Sequence, residues 1–168
     1  SHNMIARNTA ARNVRCEGAT YSRGCDSAGL LLRQASDSNL IVDNDLRWSG
    51  DGFFLSGHQP GLLPSTGNLV IRNDGSHAPH NAFEATWSYG TIFLDNRADS
   101  SGFGFWLGFS SGVTLRGTTA LGTRRAAVGT APEAEPWSGS VPATAASTSP
   151  AARRGSQVRR CASVPPCC

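Results

Sequence analysis

Apolar and polar positions alternate over short distances along this chain, in a pattern typical of β-strands. Leu30-Leu31-Leu32 and Leu40-Ile41-Val42 are separated by the turn-forming residues Asp37-Ser38-Asn39. Leu69-Val70-Ile71 is a third run of this kind and ends at Asn73-Asp74-Gly75. Short aliphatic and β-branched runs bounded by turn formers predict strands. No window shows a convincing 3.6-residue period, so the pattern predicts an all-β core with little or no helix.

Two of these segments define an internal repeat. Asn39-Leu40-Ile41-Val42 aligns with Asn68-Leu69-Val70-Ile71, and the two Asn residues are 29 positions apart. A Trp-Ser pair follows each copy, at Trp48 and at Trp87, and a third, weaker copy runs over residues 95–108. A period of about 30 residues with one Trp in each unit predicts like sheets packed around a shared axis. We expect the indoles to meet at that axis, where large aromatic side chains dominate core energetics.

These motifs resemble the bulb-type, mannose-binding lectin domain. The resemblance rests on Asn39–Val42 followed by Trp48-Ser49-Gly50, and on Gly67–Ile71 followed by Trp87-Ser88-Tyr89-Gly90-Thr91. The second copy, with its insertion at 75–85, is similar to the version in plant S-locus-type receptors. The family folds as a β-prism of three small antiparallel sheets with Trp residues stacked at the axis. The resemblance therefore implies such a prism over about residues 30–116, and with it the binding of mannose-type glycans.

The family binds sugar through Gln-x-Asp-x-Asn-x-Val-x-Tyr, which presents alternate residues on one face of a strand. In the first repeat the resemblance assigns Asp37, Asn39 and Ile41 to this exposed row, with the intervening residues facing the core. Ala35 stands in place of the Gln, and Asp43 stands in place of the Tyr. This repeat is the best candidate for sugar binding.

The second repeat departs further from the sugar motif. Only Asn68 and Val70 fit, because Pro64, Thr66 and Arg72 occupy the Gln, Asp and Tyr positions. Each lost hydrogen bond costs about 0.5–1.5 kcal/mol, which a shallow site tolerates poorly. We therefore expect weak recognition of mannose-type glycans with partly degenerate sites.

The composition changes on both sides of the predicted prism. Residues 1–29 are polar and mixed, and they predict an irregular N-terminal entry. Residues 117–168 are rich in Thr, Ala, Ser, Pro and Arg, with Trp137 as the only aromatic residue. Such a segment buries too little apolar surface to offset its chain entropy, which predicts a disordered or extended arm.

Charge and cysteine content limit the class of protein. Charged residues make up 16% of the chain, against about 25% in an average domain. All 15 basic residues are Arg, and the Arg pairs of the arm are isolated, so we do not expect nucleic acid as a partner. No apolar run is long enough for a membrane-spanning helix. Five Cys residues, at 16, 25, 161, 167 and 168, favour an oxidising compartment with disulfides, and hence a secreted or extracellular protein whose signal has been removed.

Catalytic and metal motifs are weak. His77, His80 and Glu84 have a spacing that metal ligands can adopt, but the surrounding Gly, Ser and Pro residues indicate a solvated loop. No nucleophile elbow, phosphate-binding glycine loop or pair of catalytic carboxylates stands out. We therefore expect no metal, no cofactor and no enzyme activity.

Two functions of different classes remain. The first is a lectin-like protein that binds mannose-type glycans or glycoproteins and gains avidity from several copies. The second is a non-catalytic structural or protein-interaction module that keeps the fold but has lost sugar binding. A homodimer and a protein partner for the C-terminal arm are compatible with both.

Overall fold

The computed structural model describes residues 1–14, 27–57 and 63–131. All five Cys residues, Trp137 and the segment 132–168 lie outside this part, and so do the disulfides and most of the arm that the sequence predicts. The described residues contain no helix that could span a membrane. The strands are β1 (Met4–Ala6), β2 (Ala28–Arg33), β3 (Leu40–Val42), β4 (Asp51–Ser56), β5 (Ser65–Thr66), β6 (Leu69–Ile71), β7 (Asn81–Thr86), β8 (Ser88–Tyr89), β9 (Ile92–Leu94), β10 (Phe103–Trp106), β11 (Thr114–Arg116) and β12 (Ala126–Gly129).

The strands form parallel sheets. Sheet A has five strands in the order β1-β3-β6-β9-β11, and sheet B has five in the order β12-β10-β7-β4-β2. The small pair β5-β8 is also parallel. Each pass of the chain contributes one strand to sheet A and one to sheet B, so the architecture is a solenoid of stacked coils.

The all-β prediction is confirmed, but the predicted β-prism of three antiparallel sheets is wrong. Every strand pairing in the described residues is parallel. The reason is that each strand pairs with its equivalent in the next repeat rather than with its neighbour along the chain. Leu40–Val42, for example, pairs with Leu69–Ile71. The ladders also extend to both sides of residues 30–116, since β1 pairs with β3 and β12 pairs with β10.

The strand register confirms the alignment of Asn39 with Asn68 and corrects the predicted alignment of the third copy, at Asn96. Asn39 lies beside Asn68, 29 positions away, as the alignment predicts. Asn96, however, lies beside Asn73 and not beside Asn68, because the coil is shorter there: these two residues are 23 positions apart. Ile92 is the residue that pairs with Leu69. A fixed period of about 30 residues fails here, since coils of different length stack equally well if the difference lies in the loops.

Buried asparagines hold the coils together. The Oδ1 of Asn73 accepts hydrogen bonds from the backbone N–H of Asn44 (2.9 Å) and from its Nδ2 (2.8 Å). Asn73 Nδ2 donates to the carbonyls of Ile41 and Ile71, each at 3.0 Å. Asn96 repeats the arrangement one coil further on, accepting from the backbone N–H of Asn73. One side chain thus satisfies backbone groups on two coils, which a buried corner requires.

The residue before each of these asparagines turns the corner in the left-handed region. Asp43, Arg72 and Asp95 have φ values of 55°, 50° and 52°. At the same corner of the next coil, Gly117 precedes Thr118 and has a φ of 63°. A Cβ at Gly117 would meet the carboxylate of Asp95, which can turn away, so it is the positive φ that favours glycine there. The other three positions bear a strained φ that the stacked corners hold in place.

Phenylalanines, not tryptophans, fill the interior. Phe53, Phe83, Phe93 and Phe105 are fully buried, with Phe83 stacked on Phe105 at 5.1 Å between ring centroids. The prediction that the indoles meet at the axis is wrong for the described residues. Trp48 is 47% exposed at a corner, where its ring stacks on the next coil's His77 at 4.1 Å.

Replacing Asn73 by Ala tests the ladder. Asn73→Ala leaves the buried backbone N–H of Asn44 without its acceptor and removes the side-chain donor to the carbonyls of Ile41 and Ile71. We expect a loss of about 1–3 kcal/mol in the free energy of unfolding. Asn8→Ala is the matched control, because Asn8 is exposed at the end of the same ladder; its loss should stay below about 1 kcal/mol. Urea unfolding measures both, and equal losses would contradict a structural role for the buried ladder.

Candidate functional site

Most of the predicted sugar-binding residues point into the core, and their strands expose the opposite face to solvent. Ile41 and Val70 are fully buried, while Asn39 and Asn68 are 3% and 0% exposed. Asn39 donates from its backbone N–H and from Nδ2 to Asn68 Oδ1, at 3.0 and 2.9 Å. These residues therefore belong to the core and the asparagine ladder, and the intervening residues face outward, as happens when the face assignment of a strand is one residue out.

Asp37 is the predicted sugar residue that keeps partial exposure. Its Oδ1 accepts hydrogen bonds from the backbone N–H of Thr66 (2.8 Å) and from its hydroxyl (3.0 Å). Asp37 thus links one coil to the next at the corner that precedes sheet A. The predicted set is not gathered on one surface, because Asp37 is on the outside and the other residues are inside.

The outer face of sheet A is apolar. Its side chains form two columns that run across neighbouring strands. The first column consists of Met4, Leu40, Leu69 and Ile92. The second consists of Ala6, Val42, Ile71 and Leu94. Met4 is 68% exposed and Ile92 38%, and the others are partly exposed. The columns end at Thr114 and Arg116. Contiguous exposed apolar surface on a soluble domain marks an interaction site.

A row of alternating charges borders this face. The left-handed corner residues after β1, β3, β6 and β9 are Arg7, Asp43, Arg72 and Asp95. They stack in this order, and Arg72 Nε lies 2.8 Å from Asp43 Oδ1. We call these four residues the corner row. The hydrogen bond from Arg72 lowers the pKa of Asp43, and the charge of Arg7 lowers it further.

The next face of the solenoid is also charged. Arg47 pairs with Asp45, and Arg97 pairs with Asp99, each at 2.7 Å. Burial raises the pKa of Asp99, but hydrogen bonds from the backbone N–H of Leu121 and from Arg97 outweigh it, so that the pKa is lowered overall. The charges on this face are largely neutralised by one another.

A compact polar cluster lies at the beginning of β4 and β7. The ligand-capable atoms of Asp51, His80 and Glu84 lie within 4.8 Å of one another. Asp51 Oδ1 lies 2.9 Å from His80 Nδ1 and accepts a hydrogen bond from the backbone N–H of Asn81, also at 2.9 Å. The Asn81 amide donates to Glu84 Oε2 and lies 3.1 Å from His80 Nδ1. Asp51, Asn81 and Glu84 are buried, and the His80 side chain is 22% exposed.

The structure changes the histidine set that the sequence suggested. His80 and Glu84 do lie together, but His77 stacks on Trp48 at another corner. Asp51 takes its place in the cluster and was not singled out by sequence spacing, since it precedes Asn81 by 30 positions. Only the stacking of one coil on the next brings these residues into contact.

Comparison of the chain with protein-family models, with curated proteins and with solved structures finds no match.

The lowered pKa of Asp99 gives a pH prediction. A carboxyl whose pKa is lower in the folded state than its ordinary 3.8 stabilises the fold above that value, and this contribution is lost as the pH falls through the folded pKa. We therefore expect the free energy of unfolding to fall between about pH 5 and pH 2, and to fall less steeply in Asp99→Asn. Urea unfolding across this range measures the slope, and identical slopes for the two proteins would contradict the assignment.

Proposed function

We propose that this protein is a non-catalytic structural module that associates with a second copy of itself through the outer face of sheet A. The proposal develops the interaction-module alternative of the sequence analysis. The observation that carries it is the combination of an apolar sheet face with a self-complementary row of charges.

The apolar columns supply the attraction. Ile92, Ile71 and Val42 present aliphatic side chains on neighbouring strands, and burying such surface contributes about 25 cal/mol per Å². A flat sheet face packs well on another flat sheet face, with the side chains of the two interdigitating. A second copy offers a surface of the same kind.

The corner row specifies the orientation. Read along the solenoid axis, its charges run positive, negative, positive, negative, from Arg7 to Asp95. A twofold axis parallel to the strands places the row against its own reverse, so that Arg7 meets Asp95 of the second copy and Asp43 meets Arg72. Every contact is then between opposite charges, as an isologous interface requires.

The size of the face predicts a weak complex. The outermost strands of sheet A are about 19 Å apart, from the usual spacing of neighbouring strands. An interface of this width is smaller than the standard size of stable complexes, so we expect reversible, concentration-dependent association.

The placement of the side chains favours self-association over mannose recognition. Asn39, Ile41, Asn68 and Val70 are occupied inside the solenoid, and removing them from the core to reach a sugar would leave backbone groups unsatisfied. Secretion and a protein partner for the arm stay predictions.

Charge reversal at the ends of the corner row tests the orientation. Arg7→Asp places two negative charges opposite each other across the interface, and we expect the dissociation constant to rise about tenfold. Adding Asp95→Arg restores the pairing between copies, although Arg7 and Asp95 are about 14 Å apart within one copy. Sedimentation velocity over a range of concentrations measures association. The proposed twofold arrangement is excluded if the double variant associates no better than Arg7→Asp alone.

A second prediction concerns the apolar columns. Ile92→Arg introduces a charge into the first apolar column and should raise the dissociation constant by about tenfold or more. Leu121→Arg is the matched control, since Leu121 is 48% exposed on a different face, and it should leave association unchanged. A monomeric wild type at all concentrations, or equal effects of the two substitutions, would refute the proposed module.

A further inference from the structure

The hydrogen bonds of the asparagine ladder have one direction along the solenoid. The backbone N–H of Asn8 donates to Asn44 Oδ1 at 3.0 Å, and that of Asn44 donates to Asn73 Oδ1 at 2.9 Å. The N–H of Asn73 donates in turn to Asn96 Oδ1 at 2.9 Å. In each step a backbone N–H of one coil is the donor, and a side-chain oxygen of the following coil is the acceptor. Such a ladder presents an oxygen at one end and an N–H at the other.

The coil that contains β1 presents the oxygens. Asn3, Asn8 and Asn13 occupy its ladder positions, and all three are exposed. Each donates its backbone N–H to the next coil, at 3.0–3.2 Å. The Nδ2 atoms of Asn3 and Asn8 also point to that coil, at 3.1 and 3.0 Å from its asparagine oxygens. The amide oxygens are therefore left for a donor on the opposite side, and no donor in the described part of the structure reaches them.

The coil that contains β11 presents the matching donors. Val113, Thr118 and Thr123 occupy its ladder positions, since β11 pairs with β9 and Thr119 lies beside Arg97. All three are at most 4% exposed, and their backbone N–H groups have no acceptor among residues 1–14, 27–57 and 63–131. The buried hydroxyl of Thr123 has no partner there either. Positions 113, 118 and 123 repeat the spacing of positions 3, 8 and 13, so the donors at one end match the acceptors at the other.

The strand edges at the two ends are complementary as well. β1 and β2 are outermost at one end of the sheets, and β11 and β12 are outermost at the other. An outermost strand pairs on one side only, and its remaining backbone groups are a template for another strand. The N–H of Asp95 donates to the carbonyl of Arg116 at 2.9 Å. One coil further on, the N–H of Gly117 would reach the carbonyl of Ala6 if β1 of a second molecule lay beside β11.

We propose that the end carrying β11 and β12 binds the end carrying β1 and β2 of a second copy of this chain, so that copies stack head to tail. The N–H groups of Val113, Thr118 and Thr123 then donate to the asparagine oxygens of the second copy. This interface is heterologous, because each copy uses two different surfaces, and it continues into an open filament. It does not rest on the association through sheet A, which uses the same face on both copies.

Charge makes the stacking depend on salt. Both end coils are basic: in the described residues of the first (1–14 and 27–36) and the last (113–131) there is no Asp or Glu, and each has three Arg residues, namely Arg7, Arg12 and Arg33 in the first and Arg116, Arg124 and Arg125 in the last. Salt screens their repulsion, since the screening length falls from about 10 Å at 0.1 M to about 3 Å at 1 M. Stacking should therefore strengthen with salt, whereas the opposite charges of the corner row make the sheet A pair weaken.

The full chain carrying Ile92→Arg tests the ends by themselves, because this substitution disrupts the sheet A face and leaves both end coils unchanged. In 0.5 M NaCl we expect sedimentation velocity to show a series of species beyond the dimer that grows with protein concentration. In 0.05 M NaCl the series should shrink, so that association measured there reports on sheet A. A variant that stays monomeric in 0.5 M NaCl, as it would if another segment covered either end, overturns the proposal. Assembly that stops at the dimer or weakens with salt also overturns it.

Two neighbouring substitutions, each added to Ile92→Arg, test the ladder contact. Asn8→Ala removes the oxygen that accepts from the N–H of Thr118, and the dissociation constant of stacking should rise about tenfold because that N–H is then buried without an acceptor. Thr9→Ala is the matched control, since Thr9 is also exposed in the same coil and its side chain is not part of the ladder. Circular dichroism establishes that each variant is folded. Unchanged stacking in folded Asn8→Ala, or equal losses in the two variants, would refute the assignment.

Discussion

The asparagine ladder is the interaction on which the rest of this structure depends. A coil that bends sharply at a corner leaves backbone groups in the interior, where water cannot reach them. Asn73 solves this problem with one side chain, because its oxygen accepts from the coil on one side and its nitrogen donates to carbonyls of two coils. Since the same residue recurs at Asn44 and Asn96, the corners stay in register along the axis.

The ladder also decides which residues remain for binding. An inward Asn39 forces Leu40 outward and Ile41 inward, so the outer surface of sheet A carries aliphatic side chains. The corner residue that precedes the next asparagine must point to solvent, which gives the corner row its exposed charges. The apolar face and the charged border proposed for self-association are thus both consequences of the requirement for a buried amide at each corner.

Much of the local structure could be predicted from the sequence, and the candidate sites could not. Short β-branched runs between turn formers correctly indicate strands at Leu40–Val42 and Leu69–Ile71, and the alignment of Asn39 with Asn68 correctly indicates that they are neighbours. The same alignment failed at Asn96, because the spacing of the coils changes from 29 to 23 residues. The polar cluster was only partly visible in the sequence: His80 and Glu84 have a recognisable spacing, but Asp51 belongs to a different coil, and no local spacing relates it to Glu84.

The sequence by itself determined that the chain is a repetitive all-β protein, because strand propensity and turn chemistry are local properties of a few residues. It left open whether like segments pair in parallel across repeats or fold back as antiparallel sheets, since both use the same strands. Only the tertiary structure decided between them, through the hydrogen bonds of asparagines that lie 29 or 23 residues apart. That choice also decided which face of each strand meets water, because an asparagine that must satisfy two coils has to point inward.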